Sequence, residues 1–577
     1  MRQHYEGKDT IIKITLVQDK HLIELSIMLF WILFIWRVAN SVITKTYFQA
    51  DEFWQALEPA HYKAFGYGSL TWEWQEGLRS YAFPFIFELI YHLIILLKKL
   101  AQVSHLDIKI DKMEYLFVIY LPKIMMSFIA ATGEYYTCKL VKKLYEMNYE
   151  KPESRSIIQQ PVKVIKIAAI LTMTNFFNGF FITRTFMNSF EMSLTAISLY
   201  YWDWNGININ GTSFQFSLFL AIFTCLQRPS NGIVWIVLGS SLLWNLYQNE
   251  QYKSIINLLG NVIRNFICAM TLNCVIDYYF YQELVFPIFK FIKFNFTTPL
   301  SQFYGVAPWH FHLFQSVPIL LGYNIVAFLY GLWVLKFKKS QFYKISPLQT
   351  IKLTITINLI VYSCLPHKEF RFIYPIQPLF TLISTLGFLK LYHYIPKLLC
   401  YTIPLISVIS FVIIDYYHES GSISVVKYLH NLPGIQSLGF VMPCHSTPGQ
   451  SYLHRNDIND IWAISCEPPL SLLEDDDAFV KLSGYMDESD YLYDNIPSFI
   501  NKYFSDSKGD NSTKSSEFNR KWPEYLVTFE HLEDNFLKDY FKTNPLYQQH
   551  KRFFNSLSHW DSRRSGDIVM YKKTMLL

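Results

Sequence analysis

Ionisable side chains gather near the start of the chain, between residues 41 and 81. Asp51 and Glu52 follow a long apolar run and stand among aromatic neighbours. A carboxylate placed soon after a membrane span can act as a general base on a hydroxyl group held at the membrane surface. Aromatic residues at such a boundary, Trp74 among them, also occur as an interfacial belt. The adjacent carboxylates predict acid–base chemistry, and either of them could be the base.

A second cluster combines cations, a histidine and a carboxylate. It comprises His367, Lys368, Glu369 and Arg371. Arg can bind a phosphate through two hydrogen bonds, and Lys can bind it as a point charge. A basic stop signal would give a similar pattern, but that interpretation requires the cytoplasmic side, where the charge pattern does not place these residues. The cluster therefore predicts a site for an anionic group such as a lipid phosphate.

Smaller polar patches fall on the same predicted face, among them Thr183-Arg184-Thr185. Together they indicate a polar, aromatic pocket ringed by apolar helices, which suits a lipid-linked substrate with sugars at its head. The run Asp475–Asp477 formally matches a metal-binding Asp-x-Asp pattern, but its acidic loop is more typical of a solvated surface. A lipid-phosphate donor needs no metal in principle, because fixed cations can stabilise the leaving phosphate. We predict neither a metal site nor a cofactor.

A membrane protein must position these residues. The chain of 577 residues is 51% hydrophobic and only 17% charged, against about 25% charged in soluble proteins, which argues against an ordinary soluble enzyme. A bilayer core of about 30 Å requires roughly 20 apolar helical residues. Apolar runs of this kind lie near 22–40, 82–100, 164–182, 187–203, 212–226, 231–247, 254–280, 317–335, 348–365, 372–391 and 398–416. They predict an α-helical polytopic protein with about 11–13 transmembrane helices. The first run has no small-residue cleavage site after it, which favours an uncleaved span.

Clusters of Lys and Arg orient the helices, because short cytoplasmic loops keep an excess of positive charge. Basic residues concentrate near 98–112, 139–166 and 336–344. With those loops cytoplasmic, segments 41–81 and 281–316 are lumenal. The run 114–139, which Pro, Lys and Gly interrupt, then has to cross an even number of times. This parity favours a hairpin in that run.

The chain divides into a membrane part, residues 1–416, and a soluble domain, residues 417–577. The soluble domain holds 22 Asp and Glu against 16 Lys and Arg, so a basic membrane part carries an acidic C-terminal domain. This balance gives no support to nucleic-acid binding. The orientation places the C-terminal domain on the lumenal side.

Lumenal exposure has two chemical consequences. Cys444 and Cys466 are the only cysteines of the C-terminal domain, and in an oxidising compartment they can pair. The sequons at Asn295 and Asn511 are expected to be glycosylated, whereas the sequon at Asn210 is expected to be cytoplasmic and unmodified.

Four motifs resemble those of glycosyltransferase family 22, the dolichyl-phosphate-mannose-dependent mannosyltransferases of the endoplasmic reticulum. They are Asp51-Glu-Phe-Trp-Gln55, Leu70-Thr-Trp-Glu-Trp74, Leu78-Arg-Ser-Tyr81 and His367-Lys-Glu-Phe-Arg-Phe372. The resemblance covers nearly the whole chain. Two tail motifs, Met442-Pro-Cys-His-Ser-Thr-Pro448 and His559-Trp-Asp561, resemble the branch of the family that acts in glycosylphosphatidylinositol (GPI) anchor assembly. Phe370 and Ala50 depart from the family pattern, and Ala50 weakens the expectation of a rigid turn before the base.

The resemblance implies a fold and a reaction. The fold is the GT-C glycosyltransferase architecture with a C-terminal lumenal α/β domain. The reaction is an inverting transfer of the third mannose, in α1,2 linkage, from dolichyl-phosphate-mannose to the second mannose of the GPI precursor. The protein is then expected in the endoplasmic reticulum membrane, with its active site and C-terminal domain lumenal.

The resemblance also implies roles for particular residues. Asp51 takes the position of the catalytic base, with Glu52 as the runner-up. The expected donor-phosphate contacts are His367, Lys368 and Arg371. The expected further substrate contacts are Glu73, Trp74, Arg79 and Arg184.

Two alternatives stay open. The acceptor could be the dolichol-linked oligosaccharide of N-glycosylation, although the tail motifs disfavour it. The chain could also be a non-catalytic polytopic protein that moves or scaffolds lipids, although such a protein has less need of acids and cations gathered at one membrane face. The lipid-linked donor and acceptor are the predicted partners, and no protein partner is predicted.

Overall fold

A computed structural model describes residues 24, 26–104, 110–149, 159–335, 344–473, 475, 477–504 and 520–574. These residues are mostly helical and include one small sheet near the C terminus. Among them, six helices are long and apolar enough to cross a membrane. The predicted polytopic helical class is therefore confirmed. The sequon at Asn511 and much of the predicted basic loops, at 105–109, 150–158 and 336–343, lie outside the described residues.

The helices of the membrane part follow the apolar runs. They are α1 Ser26–Ile43, α2 Glu58–Phe65, α3 Trp72–Gln75, α4 Ala82–Val103, α5 Ile110–Tyr149, α6 Gln159–Met173, α7 Phe176–Phe181, α8 Met187–Tyr201, α9 Thr212–Gln227, α10 Gly232–Gln248, α11 Tyr252–Tyr281, α12 Pro287–Ile292, α13 Val317–Leu321, α14 Ile325–Val334, α15 Pro347–Cys364, α16 Gln377–Leu391 and α17 Lys397–Tyr417. Most predicted runs coincide with one helix to within a few residues. The run 164–182 is instead divided, because α6 ends before Asn175, whose side chain caps the start of α7.

The hairpin expected in 114–139 is wrong, because α5 is a single helix of 40 residues with Pro122 inside it. Two of the apparent interruptions, Lys123 and Gly133, have packing roles. The Lys123 ammonium donates to the carbonyl of Ser41, in the last turn of α1, and to that of Thr44, just after it. Gly133 lies so close to α8 that an added Cβ would come within 2.8 Å of the Ser193 Cα. Residues that resemble a turn in sequence here serve helix packing.

The membrane crossing expected near 82–100 is also wrong. Contacts place both ends of α4 on the side of the membrane helices that carries the C-terminal domain. Its start is tied to the end of α11, where the Tyr81 amide donates to Asp277 at 2.7 Å. Lys98, near its other end, pairs with Glu114 at the start of α5. The start of α5 contacts the C-terminal domain, because the Tyr115 hydroxyl donates to a backbone carbonyl of that domain at 2.9 Å. Length and hydropathy alone do not separate a crossing helix from one that lies along an interface.

The corrections of α4 and α5 leave the number of membrane crossings in this part of the chain odd, as predicted. The sequence predicts one crossing near 82–100 and two in 114–139, whereas the structure has none in α4 and one in α5. Either way, the chain changes sides between residue 82 and the end of α5. The end of α5 contacts the far end of α8, where Lys143 donates to the carbonyls of Tyr200 and Trp202. The predicted sidedness of the later helices is unaffected, but the basic residues at 98–99 belong to the side of the C-terminal domain.

The C-terminal domain contains a five-stranded mixed sheet in the order β2-β1-β3-β5-β4. Its elements are α18 Ser420–Asn431, β1 Ser437–Phe440, α19 Gln450–Leu453, β2 Asp460–Ala463, α20 Ala478–Ser483, α21 Glu488–Asp494, α22 Ile496–Tyr503, β3 Tyr525–Phe529, α23 Glu530–Leu532, α24 Lys538–Thr543, β4 Tyr547–Ser556 and β5 Gly566–Lys573. The central strand β3 is buried along its whole length and runs parallel to β1 and antiparallel to β5. A continuous apolar strand of this kind is typical of a sheet covered on both faces.

The C-terminal domain is docked on the loop that follows α1. Buried residues of α4, α5 and the sheet form one apolar core, to which Phe87, Val118, Leu438 and Met570 belong. A polar clamp accompanies this core: the Glu58 carboxylate accepts hydrogen bonds from the Gly449 amide at 2.9 Å and from the Ser451 amide and hydroxyl. Loop and domain therefore form one packed unit on the same side of the helices.

Candidate active site

Asp51 and Arg371, 320 positions apart in the sequence, form an ion pair. The Arg371 Nη1 lies 2.6 Å from the Asp51 Oδ2. The Asp51 side chain is 25% exposed and the Arg371 side chain 9%. A carboxylate can hold Arg through one oxygen and accept a proton at the other. Asp51 is thus placed to contact a substrate hydroxyl beside a fixed positive charge.

Glu369 holds Arg371 in place. Its two carboxylate oxygens accept hydrogen bonds from the Arg371 Nε at 2.8 Å and Nη2 at 2.9 Å, and one of them also accepts from the Gln49 amide at 3.2 Å. Burial raises the pKa of Glu369, but the Arg371 charge and the hydrogen bonds from His367 and Arg371 outweigh burial and hold that pKa well below its usual range. A bidentate pair of this kind fixes the plane of the guanidinium.

His367 extends this group towards segment 281–316. Its Nδ1 lies 2.9 Å from the Gly305 carbonyl and its Nε2 lies 3.4 Å from Glu369. Burial lowers the pKa of His367, but the hydrogen bond and charge of Glu369 exceed that effect, so the net pKa is raised. Lys368 differs, because its ammonium donates to the backbone carbonyls of Ala307 and Leu365 and is largely buried. Arg371 contacts Asp51 directly, His367 joins the same cluster through Glu369, and Lys368 is committed to backbone carbonyls.

Glu52 points into the protein instead. The side chain is 9% exposed and accepts from the Arg184 Nη1 at 3.1 Å, while the Arg184 Nη2 lies 3.0 Å from Asp415. Burial raises the pKa of Glu52, against the lowering effects of Arg184 and Lys123. This buried network ties the segment after α1 to α17. Arg184, expected near the substrate, is 2% exposed and is committed to this network.

The remaining residues of the first loop form a support around Asp51. Arg79 pairs with Glu73 at 2.6 Å, and Glu73 also accepts from the Gln55 amide at 3.3 Å. Trp74 is 2% exposed, and its indole donates to the Trp54 carbonyl at 3.1 Å. The side chains of Arg79 and Glu73 are 23% and 14% exposed and border the site, whereas Trp74 packs behind it.

The C-terminal domain supplies another wall. The Trp54 indole donates to the Thr447 carbonyl at 3.1 Å, and its ring centroid lies 4.7 Å from that of His445. Cys444 and Cys466 form a disulfide with a Cα–Cα distance of 5.7 Å. Cys444, His445 and Cys466 are also close enough together to suggest metal ligands, but the disulfide leaves no thiolate for a metal.

Asn295, the predicted glycosylation residue of segment 281–316, lies in the π-helical turn Lys293–Thr297.

Sequence reasoning missed several contributors. Gln49 carries no signal for its role beside Arg371, and Glu369, although part of the second cluster, is not predicted to hold Arg371. Glu58 lies in the first loop, yet its partners are about 390 residues away. His445 lies in a tail motif that served only to separate branches of the family. Their roles depend on long-range contacts, which a single sequence does not reveal.

Comparison with known proteins gives matches over most of the chain. The Alg9-like mannosyltransferase family matches residues 28–454. The chain is 51% identical to the GPI mannosyltransferase 3 of Saccharomyces cerevisiae, over 94% of this chain and 95% of that protein. It is 30% identical to the GPI alpha-1,2-mannosyltransferase 3 of Mus musculus, over 93% of this chain and 88% of that protein. Among solved structures, ArnT from Cupriavidus metallidurans bound to undecaprenyl phosphate aligns with a TM-score of 0.49 at 9% identity, covering 95% of this chain and 98% of that chain.

Proposed function

Because this chain belongs to the Alg9-like mannosyltransferase family, we propose that it adds the third mannose, in α1,2 linkage, to the glycosylphosphatidylinositol anchor precursor. The names of relatives in yeast and mouse support this acceptor, since the matches extend over more than nine tenths of this chain. The donor we propose is dolichyl-phosphate-mannose. The protein then acts in the endoplasmic reticulum membrane with its site facing the lumen.

The proposed reaction is a single displacement at C1 of the donor mannose. The Asp51 carboxylate takes the proton from the 2-hydroxyl of the acceptor mannose. The acceptor oxygen forms a bond to C1 as the bond from C1 to the phosphate oxygen breaks. The bonding electrons leave with the dolichyl phosphate, and attack from the opposite face inverts the configuration at C1.

The departing phosphate gains negative charge, and nearby cations can stabilise it. His367 and Arg371 are held in place by Glu369, so they need little reorganisation when the charge develops. The Lys368 ammonium is occupied by two carbonyls, and we assign it a role in fixing the backbone between α15 and α16. Arg79, paired with Glu73 beside Asp51, is the next candidate for a contact with the donor.

The observation that supports this mechanism most strongly is the ion pair of Asp51 with Arg371. It brings a partly exposed carboxylate and a rigidly held cation together on the side of the C-terminal domain. A general base and a phosphate-binding cation are the two groups that a transfer from a lipid phosphate needs. Glu52 and Arg184 are instead paired with each other, and Arg184 also with Asp415, in the buried network, so we assign them no role in the chemistry.

Depletion of the protein in cells tests the function. We expect a lipid precursor of the anchor with two mannoses to accumulate, and we expect N-glycan precursors to stay complete. The lipids are extracted after labelling with mannose and identified by mass spectrometry. Accumulation of a truncated dolichol-linked oligosaccharide would support the N-glycosylation alternative instead. Normal levels of both lipid classes would contradict any role in mannose transfer.

A further inference from the structure

A cavity of about 540 Å³ lies between the first loop and the C-terminal domain. Residues Tyr67 to Trp72 line it from the loop, and the domain wall includes Phe440, Met442, Pro443, His445 to Gln450 and Ile461 to Glu467. Binding sites for small molecules typically occupy about 300–1,000 Å³. The proposed mechanism uses the donor phosphate and one acceptor hydroxyl, so it leaves this volume without a role.

The cavity adjoins the candidate base. Trp54 lines it and lies three residues after Asp51. Residues three apart share a face where the chain is helical. His445, which also lines the cavity, is near enough to Asp51 for the carboxylate charge to act on it, although burial and Arg564 dominate and lower the pKa of His445 to about 4. A molecule in the cavity would therefore extend to within about one helical turn of Asp51.

The lining suits a carbohydrate. It combines aromatic and aliphatic side chains, such as Trp462 and Leu70, with uncharged hydroxyl groups, such as those of Ser69 and Thr71. Sugars present hydroxyl groups at their edges and C–H groups at their faces, which match such walls. A lipid tail would leave the Thr71 hydroxyl and the Trp462 indole N–H, which have no hydrogen-bond partner among the described residues, unpaired, and a highly charged ligand would need opposite charges free to bind it. The cavity is therefore suited to a neutral, hydroxyl-rich ligand.

Charged groups contribute little to this lining. Among the described residues that line the cavity, Arg455 and Glu467 are the ones with a charged Arg, Lys, Asp or Glu side chain. The Arg455 Nη2 donates to Asp457 at 2.6 Å, and its Nη1 donates to the Leu432 carbonyl at the same distance. Its donors are thus committed to the fold.

Both sides of the cavity are fixed before a ligand binds. The disulfide of Cys444 with Cys466 links two segments of the domain wall. The Glu58 carboxylate, at the base of the loop, holds Gly449 and Ser451 through three hydrogen-bond donors. Such pre-organisation lowers the entropic cost of binding.

We propose that this cavity binds the glycan of the lipid-linked acceptor, so that its accepting hydroxyl reaches Asp51. This assignment rests on the proposed mannose transfer and gives the C-terminal domain a role in acceptor recognition. The donor phosphate is instead assigned to His367 and Arg371, which do not line the cavity.

The experiment fills the cavity from each wall separately. Ser69 lies on the loop wall and Ala463 on the domain wall, and both are exposed, so Ser69→Trp and Ala463→Trp can fold. The control is Ser483→Trp, at an exposed position of α20 that does not line the cavity. Steady-state transfer is measured with the purified full chain, dolichyl-phosphate-mannose and the two-mannose anchor precursor. We expect the KM for the acceptor to rise at least about tenfold in both filled variants, with the KM for the donor unchanged and the control like the wild type.

A second measurement does not depend on activity. Ser69→Cys is labelled with a maleimide in the folded protein, and the acceptor lipid should slow this labelling whereas the donor should not. Ser483→Cys should be labelled equally fast with and without acceptor. An unchanged acceptor KM in both filled variants, or labelling of Ser69→Cys that the acceptor does not slow, overturns the assignment while the wild type still transfers mannose. Failure of the wild type to transfer mannose to this acceptor would overturn the proposed function itself.

Discussion

Substitutions at Asp51 and Glu52 should have opposite effects, although the two residues are neighbours. Asp51 is 25% exposed and pairs with Arg371, whose bidentate contact with Glu369 does not depend on the Asp51 charge. Glu52 is buried and shares Arg184 with Asp415, whose side chain is fully buried. Asp51→Asn should therefore remove chemistry, and Glu52→Gln should remove stability.

The contacts set the expected magnitudes. Loss of a general base lowers a rate by about 10²–10⁴-fold, so kcat of Asp51→Asn should fall by that factor. A partly exposed ion pair contributes about 0–1 kcal/mol, so the thermal midpoint of this variant should hardly change. Removing one partner of a buried ion pair costs about 3–5 kcal/mol. Glu52→Gln should therefore unfold at a clearly lower temperature while its surviving folded fraction keeps a kcat within a few-fold of the wild type.

The assay measures both quantities on the same purified samples. Single-turnover transfer of labelled mannose gives the chemical rate, and unfolding followed by tryptophan fluorescence gives the midpoint. Active-site titration with donor corrects kcat for the folded fraction. Near wild-type transfer by Asp51→Asn would refute its assignment as base. A Glu52→Gln protein with an unchanged midpoint and an abolished rate would instead make Glu52 the base.

Three further predictions follow from individual contacts. Burial raises the pKa of Glu58 to about 7 from its ordinary 4.5, against hydrogen bonds that lower it, so the folded state binds this proton more tightly than the unfolded state. The stability of the wild type relative to Glu58→Gln should therefore fall by about 3 kcal/mol between pH 4.5 and 7. Thermal midpoints of both proteins measured across this pH range check this, and a difference between them that stays constant would contradict it. Gly133→Ala should lower the free energy of unfolding by about 1–3 kcal/mol, and with it the thermal midpoint, because its new methyl group would collide with α8. In the control Gly260→Ala the added Cβ meets nothing within 4 Å, so that substitution should be neutral or stabilising. Equal thermal midpoints for the two variants would contradict the close packing at Gly133. Endoglycosidase treatment should reduce the apparent mass of the wild type on a gel by one glycan more than that of Asn295→Gln. The reduction should be the same for the wild type and Asn210→Gln. Loss of a glycan in Asn210→Gln would reverse the proposed sidedness.

The sequence predicts much of the helical body because bilayer-length apolar runs carry a strong signal. Runs 187–203, 212–226 and 231–247 match α8, α9 and α10 to within two residues. The wrong crossing near 82–100 has a physical reason: hydropathy reports how apolar a helix is but not which surface covers it, and α4 is apolar both where it packs on the first loop and where it stays exposed. The wrong hairpin in 114–139 follows from that error, because a crossing at 82–100 requires the next run to cross an even number of times.

The candidate site is predictable only in part. Carboxylate chemistry and phosphate-binding cations can be inferred from residue types, and the ion pair of Asp51 with Arg371 joins the two clusters that carry them. The choice between Asp51 and Glu52 is not predictable, because consecutive residues at the start of a helix point in directions about 100° apart. Asp51 faces Arg371, and Glu52 faces Arg184, which is held by Asp415 of α17. This choice depends on tertiary packing.

The correction of α4 and α5 also bears on how the site is built. With α4 and the start of α5 on the side of the C-terminal domain, the domain rests on them through Tyr115, whose ring stacks on His430 at 3.4 Å between centroids. A crossing α4 would leave the first loop without this support. The loop would then lack a rigid base, while its Glu58 clamp still holds the domain wall of the cavity. Because the loop carries Asp51 as well as Glu58, the position of the base relative to the cavity depends on α4 and α5, which supply no group to the chemistry.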